Sequence, residues 1–273
     1  MPIKIDQNRE HPIGVFDSGL GGLTVVRELM RELPFEDVVY FGDTARVPYG
    51  TKSKEAIVKF SKENVAILLR HKVKMVVVAC NTSSSFALPI LRESFSLPII
   101  GVIKPGAKKA VEITRNKRIG IIATSATVNS REYAKEIHRL DPTIKVTAQA
   151  CPLFVPLVEE GWTDRQVTLT IAEEYLKNMK QFKIDTLILG CTHYPLLKAA
   201  LKKVVGKDVL LIDSAKEIAR DVKQLLEYTK KNRLTNKKPK HTFLVSDEPK
   251  HFHLLAQKFL GTAIKHVERC DHV

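Results

Sequence analysis

The chain is 273 residues long, 44% hydrophobic and 27% charged, with a net charge of +14, a balance that supports the core of one large or two small domains and excludes a disordered chain. Its longest unbroken hydrophobic run, residues 75–80, is six positions long against the roughly 20 that a membrane helix needs, and the first dozen residues hold no apolar stretch of a secretory signal, so no membrane association and a cytoplasmic location are expected. The four cysteines, Cys80, Cys151, Cys191 and Cys270, are separated by 71, 40 and 79 residues with no CxxC pair, which speaks against a zinc knuckle, a thioredoxin-like pair or a disulfide framework and for free thiols in a reducing compartment.

In chain order, residues 13–16, 38–41, 75–79 and 98–103 are predicted strands, each short and nearly all apolar, the pattern of strands buried on both faces of a parallel sheet. Between them, 23–33 has a helical period and stops at Pro34. Residues 53–70 place Ile57, Phe60, Val65, Leu68 and Leu69 among lysines, and 85–94 is a third helix. The order then recurs, with predicted strands at 119–123, 145–149, 186–189 and 209–212 separated by helices. Gly14 falls on Gly120 at an offset of 106, while Cys80 on Cys191 and Ile100 on Leu211 both give 111, so about five residues are inserted before the third strand of the second half.

This internal duplication predicts an α/β protein of two pseudo-symmetric lobes, each a mostly parallel sheet flanked by helices, with the active site in the cleft between them. Residues 229–241, TKKNRLTNKKPKH, hold six lysines or arginines and no acid, which reads as an exposed linker. A strand at 242–245, a helix at 249–260 and a final short strand follow, expected to pack back on one lobe. The lobes are thus expected at 1–103 with 214–273, and at 104–213.

In an open parallel sheet, ligands bind beyond the carboxyl ends of the strands, where the unusual polar residues of this chain collect. Asp17 and Ser18 close the first strand, and Asp43 and Thr44 close the second, ahead of Val47-Pro48-Tyr49-Gly50. Cys80, Asn81 and Thr82 close the third. In the second half Thr124, Thr127 and Ser130 follow the first strand, and Cys191, Thr192 and His193 end the third. If the lobes face one another, two cysteines meet across one crevice. A thiol of pKa near ~8.5 needs only modest tuning to work as acid or base at neutral pH. A helix N-terminus after the strand favours the thiolate, and His193 can share its proton. An ionised Asp17 raises a thiol pKa, yet it can accept a proton or hold an ammonium. Two thiols on opposite faces of one carbon suit a reaction that removes a proton from one side and returns one from the other.

Plainer readings stand beside these. Gly19-Leu20-Gly21-Gly22 can cradle a phosphate or allow close backbone approach to a smaller anion. The dinucleotide fingerprint fails at Thr24, however, and no Walker A sequence is present. Asp43 can cap a turn, Pro48 and Tyr49 can stiffen a loop, and His193 can be a structural donor. Cys151 and Cys270 read as small buried hydrophobes, Trp162 as packing, and His251 and His253 as surface residues.

The segments FDSGLGGLTV, YFGDTARVPYG, VVACNTSS, CPLFVPLVEEG and LILGCTHYPLL, in this order within residues 12–260, resemble the glutamate racemases, cofactor-independent enzymes that supply D-glutamate for peptidoglycan. The histidine after Cys191-Thr192 is similar to the glutamate branch, since the aspartate branch commonly has an acid there. The resemblance implies that Cys80 and Cys191 are the two acid/bases interconverting L- and D-glutamate, that Asp17 and His193 assist them respectively, and that Glu159 is a further acid near the second thiol. It implies substrate contacts from Asp17, Ser18, Pro48, Tyr49, Gly50, Cys80, Asn81, Thr82, Thr124, Thr127, Cys191, Thr192 and His193, with Ala123 standing where many relatives have glycine. It implies no cofactor and no metal, glutamate as the small-molecule substrate, and a homodimer. Without a pyridoxal electron sink, the protein itself must stabilise the carbanion by preorganised donors and desolvation, and lobe motion about the crossings near 101–105 and 211–215 would open and close the site. The alternatives are a racemase of a related acid such as aspartate, and a polyanion-binding protein, the latter because residues 228–273 hold 10 basic against 4 acidic side chains. With no zinc finger or RNP motif, a nucleic-acid role is not expected, and the positive field can equally steer a substrate with two carboxylates.

Overall fold

The computed structural model describes residues 9–234 and 237–271. The first half runs β1 (Ile13–Asp17), α1 (Leu23–Glu32), β2 (Val38–Gly42), α2 (Lys54–Arg70), β3 (Met75–Val78), α3 (Asn81–Phe86), α4 (Leu88–Ser94), β4 (Ile99–Gly101) and α5 (Ile103–Ile113). The second runs β5 (Arg118–Ala123), α6 (Ser125–Ser130), α7 (Glu132–Leu140), β6 (Lys145–Ala150), α8 (Phe154–Glu159), α9 (Gln166–Gln181), β7 (Thr186–Gly190), α10 (Lys198–Val205), β8 (Leu210–Asp213) and α11 (Ser214–Tyr228). The chain closes with β9 (His241–Val245), α12 (Pro249–Leu260) and β10 (Glu268–Arg269).

Two all-parallel sheets result, ordered β10-β9-β2-β1-β3-β4 and β6-β5-β7-β8. The order β2-β1-β3-β4 in one repeats as β6-β5-β7-β8 in the other, which is the expected duplication. Its register holds at the centre, where Gly14 pairs with Val76 and Gly120 with Leu187. At the last strand it is one residue longer than expected: Val77 pairs with Ile100 and Ile188 with Ile212, so Ile100 corresponds to Ile212 rather than Leu211. The central strands β1, β3 and β7 are buried along their whole length, as helices on both faces require. Val15 and Val77 of one sheet share a continuous apolar cluster with Ile122 and Leu189 of the other, so the halves are joined by core and not only by chain.

Two elements differ from the sequence reading by two or more residues at an end, each for a local hydrogen-bonding reason. The helix expected at 85–94 begins directly after Cys80, because Cys80 itself caps α3, and it breaks at Ala87 before α4, whose second position is Pro89. The strand expected at 98–103 stops at Gly101, because the Val102 N–H donates to Ser84 Oγ instead of to the sheet, and Ile103 opens the crossing helix α5. The basic stretch 229–241 is exposed or half-exposed over its described part, as expected, but it is also tethered. The buried Lys74 Nζ donates to the Lys231 carbonyl at 3.0 Å, and Arg233 pairs with Asp37 at 2.6 Å and with Glu10 at 2.8 Å. Residues 235 and 236 of that stretch lie outside the described residues. The returning β9 extends the first sheet beside β2. Among the described residues no helix is long and apolar enough to cross a membrane.

Candidate active site

The carboxyl ends of both sheets border one cavity of about 270 Å³. Cys80 and Cys191 both line it, together with Ser18, Pro48, Tyr49, Gly50, Asn81, Thr82, Thr124, Glu159, Thr192 and His193. Two of the expected residues lie behind its wall instead. Asp17 is fully buried beneath it, and Thr127 reaches it only through its hydroxyl partners Thr82 and Thr124.

Cys80 ends the β3 segment as the N-cap of α3. Its sulfur accepts the Ser83 N–H at 3.5 Å and lies 3.8 Å from Ser18 Oγ. These donors favour the thiolate, as the sequence suggests for a thiol ahead of a helix, but they do not prevail. Burial first, and then the Asp17 carboxylate, push the Cys80 thiol up to about 11. Asp17 accepts the Gly19 N–H at 3.1 Å and the Thr192 hydroxyl at 3.4 Å. Its own pKa is raised by burial, with His193 the largest opposing influence. One carboxylate is thus coupled to both thiol neighbourhoods.

Cys191 follows β7, its sulfur 3.9 Å from His193 Nδ1. His193 Nε2 lies 2.9 Å from Glu159 Oε1, and its ring stands edge-on to Phe259. Burial alone would drive His193 neutral, but hydrogen bonds to Cys191 and Glu159 outweigh it and raise its pKa to about 10. As an imidazolium, the ring has a proton on each nitrogen, one directed at sulfur and one at carboxylate. Glu159 ends α8 one turn after Val155 and Pro156, which also line the cavity. This apolar wall was not singled out in the sequence, although the four-residue spacing of Val155 and Glu159 on a helix carries that signal.

The rim is made where the halves touch. Thr82 Oγ1 meets Thr124 Oγ1 at 2.9 Å and Thr127 Oγ1 at 3.2 Å, while Thr124 and Thr127 lie 3.0 Å apart, a triangle of hydroxyls from both halves. The Asn81 side-chain Oδ1 accepts the Tyr133 hydroxyl at 2.7 Å, and Tyr133 reaches Ser214 at 3.0 Å. Gly21 and Gly50 permit this approach. A Cβ on Gly21 would sit 2.6 Å from His193 Nδ1, and one on Gly50 2.7 Å from Thr124 Cβ. The glycine turn at 19–22 therefore serves close contact between the halves at Gly21. The Tyr49 hydroxyl points away from the cavity, bonded to Asp43 and to Asn64 Nδ2, so Tyr49 offers the cavity only its ring and backbone. Asp43 also takes Arg46 Nε at 2.7 Å and the Ser246 hydroxyl at 3.0 Å, tying the end of β9 to this loop. Cys151 is buried, as expected for a small hydrophobe, and its carbonyl accepts the Tyr194 hydroxyl at 2.8 Å.

The sequence profile of the Asp/Glu/Hydantoin racemase family matches residues 13–222. A glutamate racemase of Geobacter metallireducens is 49% identical over 249 residues, covering 91% of this chain and 92% of the relative. Among solved structures, glutamate racemase from Bacillus anthracis superposes with a TM-score of 0.93 at 40% identity, over 97% of this chain and 98% of the other. The enzyme from Francisella tularensis, solved in complex with D-glutamate, gives 0.91 at 41% identity, over 96% of this chain and 98% of the other. With the duplicated sheets and this extent of identity, the chain belongs to the Asp/Glu/Hydantoin racemase family and, within it, to the glutamate racemases, a group of isomerases.

Proposed function

We propose that this chain interconverts L- and D-glutamate without a cofactor, using Cys80 and Cys191 as alternating base and acid. The observation that carries the reading is the presence of one thiol from each sheet on the wall of a single cavity. In either direction, one sulfur in its thiolate form takes the α-proton, leaving the electron pair on the α-carbon. The opposite thiol then gives its proton to the other face, so the thiolate has changed sides and the configuration is inverted. Each sulfur has its own partner: Asp17 lies beside Cys80, coupled through space, and His193 lies beside Cys191, held by Glu159. The carbanion needs stabilisation from fixed dipoles in a water-poor site. The hydroxyls of Thr82 and Thr124, backed by Thr127, and the amide of Asn81 are placed to turn toward the substrate carboxylates.

In this reading residues 1–103 with 214–273 form one moving body and 104–213 the other, and the hydroxyl triangle closes them over the substrate. The free cysteines suit a reducing compartment such as the cytoplasm, and the product would serve peptidoglycan synthesis. The test is a chiral assay of the isolated protein with L-glutamate or L-aspartate and no added cofactor, together with α-hydrogen exchange in heavy water. Cys80→Ser and Cys191→Ser should each lower racemisation by about 10²–10⁴-fold, the usual worth of a positioned acid/base. Full activity in either variant would overturn the two-thiol scheme, and preferred turnover of aspartate would overturn the choice of substrate.

A further inference from the structure

We propose that Ser83 is a positioning residue for this reaction, its buried hydroxyl kept as a hydrogen-bond donor for the Cys80 sulfur when that sulfur is ionised. The inference rests on the two-thiol reading above. Three serines follow one another in α3. Ser84 donates its hydroxyl to the Val78 carbonyl at 3.0 Å and Ser85 to the Asn81 carbonyl at 2.9 Å, while Ser83 Oγ is wholly buried and has no hydrogen-bond partner. Buried hydroxyls are nearly always paired, so an orphan calls for a reason. Ser83 stands three residues after the capping Cys80, and its own N–H already reaches the sulfur. A side chain at that position of a helix faces back toward the cap.

The missing partner is a charge that exists for only part of the catalytic cycle. In the thiol state the Cys80 S–H points to Ser18 Oγ, and the sulfur has little to offer a second hydroxyl. Once the proton is gone the sulfur becomes an acceptor on every side. Ser18 can then reverse its hydroxyl, and Ser83 can give the O–H that has no other use. Such help is needed, because the Asp17 carboxylate from β1 opposes a negative sulfur in this buried place, whereas the Ser83 hydroxyl favours it.

The test is the alkylation rate of Cys80 by iodoacetamide at pH 8, read by mass spectrometry of its peptide in the wild type, Ser83→Ala and Ser83→Cys, with Cys191 in the same samples as an internal reference. Loss of one charge-assisted donor should raise the Cys80 pKa by about one unit. The thiolate population then falls about tenfold, and the greater nucleophilicity of a more basic thiolate returns about threefold of that. Cys80 in Ser83→Ala should therefore react about threefold more slowly with Cys191 unchanged, and Ser83→Cys, with its weaker donor, should fall between. An unchanged Cys80 rate in Ser83→Ala overturns the proposal, and so does a parallel change at both cysteines, which marks a general loosening of packing. If the shift appears but Cys80→Ser still racemises glutamate, Ser83 tunes the thiol and the two-thiol reading fails. If Cys80→Ser is inactive and no shift appears, only the role of Ser83 fails.

Discussion

A protonated His193 between a sulfur and a carboxylate makes the second thiol site sensitive to pH. Its folded-state pKa, about 10, lies above the ordinary value of 6.5. The stability contributed by this charge is therefore complete below about pH 6.5 and is lost as pH rises through about 10. Thermal unfolding of the wild type should fall across that window, and the fall should be shallower in His193→Asn. Glu159→Gln removes one of the two contacts that raise the ring, so the alkaline limb of kcat/KM should move to lower pH. An unmoved limb would show that Glu159 does not hold the imidazolium. Because two enantiomers have equal free energy, any such variant must change kcat/KM by the same factor for both, which gives an internal check on the measurement.

At the scale of elements, the turns after the strands decide how closely the halves meet. Gly21 lies in the β1–α1 turn with Thr192 and His193 of the other half against its Cα, and Thr24 at the start of α1 donates to the Thr192 carbonyl at 3.2 Å. Gly21→Ala drives a methyl group into the Thr192 hydroxyl and the buried His193 ring, which must shift to admit it. It should cost about 1–3 kcal/mol in stability. Displacing the Cys191 side of the site by an ångström should reduce kcat/KM by about 10²-fold. Steady-state kinetics with urea unfolding would separate the two effects, and near-normal kcat/KM would mean that the halves need not approach this closely. The loop 43–51 shows the same dependence on neighbours. Its form rests on Asp43, which gathers Arg46 and Tyr49 of the loop itself and Ser246 from beyond β9.

Across the whole molecule, the C-terminal return is fastened to the first sheet by charges sealed at its amino end. Lys74 is fully buried, paired with Glu36 and donating to the carbonyls of Arg9 at 2.8 Å and Lys231 at 3.0 Å, while the Arg233 N–H donates to the same Glu36 at 2.7 Å. Removing one partner of a buried pair leaves the other uncompensated and costs about 3–5 kcal/mol. Lys74→Met should lower the urea midpoint accordingly, with KM for glutamate little changed because the site lies at the opposite ends of the strands. A midpoint unchanged from the wild type would mean that the return segment is held by β9 and α12 alone.

Much of this was readable in the chain before folding. Short apolar runs announce strands buried on both faces, because such strands have nowhere to put a polar side chain. The offset of the two cysteines announced the repeat, and polar residues at strand ends announced the cavity. Boundaries were less legible wherever one side chain settled them: Ser84 intercepts the Val102 N–H and ends β4 early, and Cys80 begins α3 four residues before the expected start. The tethering of 229–241 was not legible for a related reason, since a run of basic residues does not reveal that Asp37 and Glu10 wait for Arg233 at a distance of about two hundred positions.

By itself, the sequence determined the duplicated α/β plan, the residues at the carboxyl ends of the strands and the pairing of Cys80 with Cys191, since these follow from local patterns that repeat with a period. Only the tertiary structure decided which of those residues face the cavity and which stand behind it. It sealed Asp17 beneath the wall, turned the Tyr49 hydroxyl toward Asp43, closed Thr82 onto Thr124 and left Ser83 without a partner. Those choices depend on side-chain directions set by close packing between segments far apart in the chain, and no pattern along the chain carries that information.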